Sequence, residues 1–190
     1  MSAMPLHDPL IDLQDLTLRR LYGKYPGTVT DNQDPDNRAR VKVSCPSVLG
    51  TEQLWALPCV PYAGPQVGFY FIPPVGAEVW VEFAAGDVSL PIWVGCYWGP
   101  GQLPPDASGP DVKVLATAQN KLVMDDTSGA AQVIVSNQTG TTTWGQEVST
   151  ECQGATHTVG SGGVVSESSP GKVEVGAAGV TINNGAFKVS

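Results

Sequence analysis

Glu78-Val-Trp-Val-Glu-Phe83 places Val79, Val81 and Phe83 on one face of an extended chain and Glu78, Trp80 and Glu82 on the other. A strand patterned this way buries its apolar side against something. The flanking sequence supplies candidates: Gly27-Thr-Val-Thr30, Arg38-Ala-Arg-Val-Lys-Val-Ser44, Leu54-Trp-Ala-Leu-Pro-Cys-Val60, Gly68-Phe-Tyr-Phe-Ile72 and Pro91-Ile-Trp-Val-Gly-Cys-Tyr97. The turn formers Asp31-Asn-Gln-Asp-Pro-Asp-Asn37 join the first two as a long-looped hairpin. Five or six such segments within about 75 residues suit a small closed barrel.

Composition agrees with an all-β chain. Its 190 residues include Gly 22 and Pro 16, and only 15% are charged, too few for a set of exposed amphipathic helices. With 42% hydrophobic residues the chain can bury a core. Lys+Arg 10 against Asp+Glu 18 gives a net charge of -8, which excludes a basic nucleic-acid binder. The first ten residues lack a basic stretch followed by a long apolar one, so no secretory signal is expected and synthesis is expected in the cytoplasm. No apolar run approaches the ~20 residues of a membrane helix. Cys45, Cys59, Cys96 and Cys152 form no Cys-x-x-Cys pair and are expected to be buried, reduced thiols.

A cluster of breakers, Pro104-Pro-Asp-Ala-Ser-Gly-Pro110, divides the chain, and of the fourteen aromatics only Trp144 and Phe187 follow it. The C-terminal part is therefore not expected to be an ordinary globular domain. Short strand-like runs recur there: Lys121–Asp125, Gln132–Ser136, His157–Val159, Lys172–Val175, Gly179–Asn183 and Ala186–Val189. Gly or Asn commonly stands between them, the pattern of a β-solenoid or β-prism. One chain cannot make a wide core from single Val and Ile side chains; several wound together could. Between Thr141 and Ser169 no strict repeat is visible, and an irregular register is expected. Before the barrel, Leu10, Leu13, Leu18 and Leu21 fit a short helix or a partner-facing arm.

The middle of the chain resembles a known family. Pro74-Val-Gly-x-Glu78-Val-x-Val-x-Phe83-x-x-Gly86-Asp87-x-x-x-Pro91-Ile-x-x-Gly95, preceded by Gly68-Phe-Tyr-Phe-Ile72, is similar to the oligonucleotide/oligosaccharide-binding (OB) barrel of contractile-injection spike proteins. That family includes VgrG of type VI secretion and the baseplate spikes of phage tails and tail-like particles. Asp34-Pro-Asp-Asn-Arg38-Ala-Arg40-Val-Lys-Val resembles its first barrel hairpin, Lys121–Gly129 its entry to the needle, and Gly179–Ala186 its needle tip. The resemblance implies an OB-fold barrel followed by a C-terminal β-helix needle, intertwined as a homotrimer. The corresponding divisions are 1–24 arm, 25–103 barrel, 104–112 linker and 113–190 spike. The length leaves no room for the family's hub or lysozyme domains, so a short form is expected.

The same resemblance implies a structural, non-enzymatic role: a central baseplate spike in a phage-tail-like injection particle, making transient contact with the target membrane. Implied partners are a hub protein and first tail-tube ring, and a PAAR-type tip protein; the apolar arm offers Leu10, Leu13, Leu18 and Leu21 as hub contacts, and Phe187, Val189 and Ser190 are the expected tip contacts. Val173, Val175, Val180 and Ile182 are the implied packing residues of the needle axis. The alternative is an OB-fold binding module for a glycan or single-stranded nucleic acid.

Asp125 and Asp126 are adjacent and would point to opposite faces, which suits a turn rather than acid/base catalysis. Asp31, Asp34, Asp36 and Asn37 have oxygens enough for calcium but lack the EF-hand glycine and distal Glu. His157 would recur around a trimer axis, where three imidazoles could hold a metal; an outward orientation is equally compatible with strand alternation. Tyr70, Trp80, Trp93 and Trp98 could stack bases, but Glu78 and Glu82 beside Trp80 favour barrel core and intersubunit packing. No cofactor, catalytic set or nucleic-acid partner is expected.

Overall fold

A computed structural model describes residues 20–183 and 186–189. The chain divides into two compact units between Gln102 and Leu103. In the first are β1 (Tyr25–Asp31), β2 (Val41–Ser44), α1 (Pro46–Leu49), β3 (Gln53–Pro58), β4 (Ala63–Gly64), β5 (Val67–Gly68), β6 (Glu78–Phe83) and β7 (Pro91–Tyr97). Five of these strands close a barrel in the order β1-β2-β3-β7-β6. All its pairings are antiparallel except β3 with β7, where Leu57 lies opposite Ile92. Closure leaves no open sheet edge, and the alternation of β6 decides what fills the interior.

Val79, Val81 and Phe83 point inward and meet Val29, Val41, Val43, Ala56 and Trp93. Val29, Val41, Val43, Val79 and Val81 are essentially inaccessible. Small β-branched side chains dominate because a five-stranded barrel is too narrow for many large ones. Tyr25 closes against Phe83 edge-on, with ring centroids 5.7 Å apart.

Several expectations need correction. Gly68–Ile72 is not a barrel strand: Val67–Gly68 pairs only with Ala63–Gly64, and Phe69, Tyr70 and Phe71 stand exposed. Gly68 has φ 152, and a Cβ there would lie 2.8 Å from Tyr62 O, so the chain turns where a strand was expected to start. Tyr70 and Trp98 are exposed rather than core, whereas Trp93 is buried. Among the thiols only Cys45 is buried; Cys59, Cys96 and Cys152 are exposed.

In the second unit β8 (Val112–Ala116), β9 (Asn120–Asp125), β10 (Gln132–Asn137), β11 (Gly140–Trp144) and β12 (Val148–Cys152) lead on to β13 (Ala155–Gly160), β14 (Gly163–Ser168), β15 (Gly171–Gly176), β16 (Gly179–Ile182) and β17 (Phe187–Val189). They form one ten-stranded antiparallel sheet in sequence order, every strand bonded to its chain neighbours. The expected irregularity between Thr141 and Ser169 is absent: β11 to β14 pair without a register shift. Thr-rich β11 and Ser/Glu-bearing β12 and β14 escape a search for aliphatic runs, yet β-branched Thr is a good strand former. Val112, assigned to the linker on sequence, opens β8. Asp106 is tied to Lys121 Nζ through both carboxylate oxygens, at 2.8 and 3.0 Å.

Candidate functional site

The continuous register of the second unit sorts its side chains into two unlike faces. One row runs Met124, Val133, Trp144, Val148, Val159, Val164, Val175, Val180 and Val189, each residue opposite the next on the neighbouring strand. On the same face a second row starts with Leu115, Leu122 and Val135 and ends with Val173, Ile182 and Phe187. Between them stand four polar residues, Thr142, Thr150, His157 and Ser166. From β11 onward the opposite face carries mainly Thr, Ser, Glu and Lys, among them Ser149, Thr158, Glu174 and Thr181.

This asymmetry has a physical consequence. Leu115, Met124, Val135, Trp144, Val148, Val159, Val173, Val175 and Phe187 are all exposed, and all lie on the apolar face. No second layer of strands covers that face among the described residues. An apolar row with Met124, Trp144, Val148, Val159 and Val175 exposed to water is the signature of a surface that associates.

Val173, Val175, Val180 and Ile182 come together: Val173 pairs with Ile182 and Val175 with Val180. Sequence reasoning missed the rest of the row. A signal was available in Val159-Gly-Ser-Gly-Gly-Val164 and Val175-Gly-Ala-Ala-Gly-Val180, in each of which a Val-Gly and a Gly-Val flank a two-residue turn. Each returns a valine opposite a valine. Gly163 has φ 124, and any Cβ there would run into the carbonyl of Val175 on the next hairpin, so a side chain is excluded.

Other expected contact residues are dispersed. Leu10, Leu13, Leu18 and Ser190 lie outside the described residues. Leu21 packs on the barrel core and donates its backbone N–H to Gly86 O at 3.0 Å. Phe187 is exposed on β17, the last strand of the sheet, which also contains Val189.

Possible chemical sites resolve into structural pairs. Asp34 accepts from Arg40 Nε at 3.1 Å and Nη2 at 2.6 Å, and from the backbone N–H groups of Asp36, Arg38 and Arg40. Arg40 also reaches Asp36 at 2.6 Å and sits 5.6 Å from the Trp55 ring centroid. The guanidinium first, and the backbone donors with it, hold the Asp34 carboxyl well below its ordinary value. Two of the three candidate calcium carboxylates, Asp34 and Asp36, are thus turned onto an arginine, and Asp31 accepts the Gln33 N–H at 2.9 Å. Asp125, at the end of β9, accepts the Thr127 N–H at 2.9 Å, and Asp126 pairs with Lys113, so both flank the turn.

On the barrel surface the Trp80 ring lies against Tyr97, centroids 4.6 Å apart, and Glu82 pairs with Lys24 at 2.5 Å. One stacking face is occupied, and carboxylates flank the indole; this is a poor platform for a polyanion. Within one chain no three His, Cys, Asp or Glu side chains among the described residues form a metal-sized group. No helix among them is long and apolar enough to cross a membrane.

No curated protein matches the chain. Residues 25–98, which hold the whole closed barrel, match the family described as the type VI secretion system/phage-baseplate injector OB domain, and for that part of the chain the match supports a structural baseplate role.

Proposed function

We propose that the chain is the central spike of a contractile injection baseplate: a homotrimer whose C-terminal sheets wind together into a β-helical needle. The apolar row from Met124 to Val189 carries this reading. Burying nine half-exposed apolar side chains is worth roughly 1 kcal/mol each, or roughly 9 kcal/mol per chain, comparable with the ~4–15 kcal/mol that association costs. Three copies with their apolar faces inward would give a thin axial core of Val and Ile and an outer surface of Thr, Ser, Glu and Lys. The number three comes from the family resemblance. Closed cyclic symmetry lets identical faces cover one another.

In this account the arm, with Leu10, Leu13 and Leu18, docks to the hub and first tail-tube ring while Leu21 stays on the barrel core, and Phe187 with Val189 and Ser190 meets a PAAR-type tip protein. The role needs no catalytic group. Each chain contributes a charge of -8, so attraction to anionic lipid does not drive entry and sheath contraction must. Contact with the target envelope is then brief and mechanical. Electron microscopy and injection assays on particles from cells that encode the chain test this role. Cells lacking it should yield particles without axial spike density and without injection, restored by the full chain but not by one ending at Gln102. Normal injection without the chain would overturn the proposal.

A further inference from the structure

Two loops of the barrel unit enclose a hollow of about 420 Å3, within the ~300–1,000 Å3 range of small-ligand sites. Asn32, Gln33, Asp34 and Asn37 of the β1–β2 connection form one wall, and Tyr70 and Ile72 of the connection from β5 to β6 form the other. The walls are tied together: Asn32 Nδ2 donates to Pro73 O at 3.1 Å, and the Gly76 N–H donates to Val29 O at 2.8 Å. Asn37 and Ala39 have φ 51 and 59, a left-handed backbone that is unfavourable for a residue with a side chain, above all for Ala39, which has no polar group to offset it. Five hydrogen bonds onto the Asp34 carboxylate, from the Arg40 side chain and from the N–H groups of Asp36, Arg38 and Arg40, keep the loop in that shape. The wall is therefore set before any ligand arrives, which lowers the entropy cost of binding.

The lining selects the ligand. Tyr70 is 78% exposed, more than any other large hydrophobic side chain described, and it offers an apolar ring face and a hydroxyl together. The amides of Asn32, Gln33 and Asn37 combine donors and acceptors, as the hydroxyls of a sugar do. Charge is balanced: Asp34 is matched by Arg40, and no charged residue occurs from Gln53 to Ala77. Asp31 and Asp36 in the same loop, with a chain charge of -8, disfavour a phosphate backbone. We propose that this hollow binds a neutral glycan, with a sugar ring laid on Tyr70 and its hydroxyls bonded to the Gln33 and Asn37 amides. Every residue of the site comes from one barrel, so it is complete in a single chain and independent of the trimer. It gives the barrel a recognition role beside the mechanical role of the needle.

The test uses the purified full chain with uncharged hexasaccharides of glucose, mannose, galactose and N-acetylglucosamine, screened by saturation-transfer NMR and titrated by calorimetry, and a thymidine oligonucleotide beside them. Tyr70→Ala removes the stacking face, and Asn37→Gly removes an amide at a position whose backbone glycine accepts. Phe71→Ala, also exposed on the same loop but outside the hollow, is the control. The expected result is binding of at least one hexasaccharide at millimolar concentration or below, weakened about tenfold by Y70A and by N37G and unchanged by F71A. Binding of none of the sugars, or binding that Y70A and N37G leave unchanged, overturns the site. An equal loss in F71A assigns the binding to the loop's aromatics at large and overturns the hollow. Capture of the oligonucleotide without any sugar overturns the ligand class in favour of stacked bases.

Discussion

Replacing Val175 by Asp separates a buried apolar face from an exposed one. Val175 lies between Val164 and Val180 in the apolar row and is 43% exposed in the single chain. If that face meets water, the change should cost no more than a surface substitution in a strand, ~1 kcal/mol or less. If it faces two other chains, the carboxylate must be desolvated or protonated. Protonation sets the ceiling: at pH 7, holding neutral a group with an unfolded pKa of ~3.9 costs about 4 kcal/mol per chain, about 12 kcal/mol for three. The folded pKa is then raised, so the penalty grows as pH rises above about 4 and falls to about 2 kcal/mol per chain at pH 5.5. Thr181→Asp is the control, since Thr181 pairs with Glu174 on the polar face and samples the same loss of strand propensity. Light scattering and thermal melts at pH 7.5 and 5.5 should show V175D dissociated or strongly destabilised at the higher pH and partly recovered at the lower, with T181D close to the unsubstituted protein. Equal behaviour of the two variants at both values would refute the burial of this face.

Three further outcomes follow from the same packing and electrostatics. Val81→Ala removes two buried methyl groups from a fully enclosed barrel position and should cost about 2–3 kcal/mol, read from urea unfolding followed by Trp fluorescence. Asp34 has a depressed folded pKa, so its contribution is complete above about pH 4 and is lost as pH falls further; Asp34→Asn should lower the melting temperature at pH 7 and flatten its decline between pH 4 and 2.5. Gly163→Ala, which forces a side chain into the Val175 carbonyl, should expose Gly160–Gly176 to protease while the barrel resists digestion. An unchanged digestion pattern would count against the tight stacking of these hairpins.

The barrel was legible because its decisive strand alternates without exception: Val79, Val81 and Phe83 are inside, and Glu78 and Glu82 outside. Gly68–Ile72 misled for the opposite reason. A run of aromatics has strand propensity, but propensity does not supply a partner strand: Gly68 pairs with Ala63 and Phe69 donates its N–H to Tyr62 O, and the ladder ends there. In the second unit, Val173, Val175, Val180 and Ile182 stood out as neighbouring apolar positions. Joining them to Met124, Trp144 and Val148 required the register of every intervening hairpin, and a one-residue slip in any of them would break the row. Thr142, Thr150 and Ser166 looked like ordinary polar strand residues until pairing put them beside His157 on the apolar side. The Asp34 cluster shows the same limit: its acids were visible in the sequence, but not that Arg40 folds back to neutralise them.

Sedimentation equilibrium of the purified full chain tests the central claim most directly. Closure of three apolar faces on one axis predicts a single species at three times 19.9 kDa, unchanged on dilution through the micromolar range. A species of 19.9 kDa across that range would contradict it.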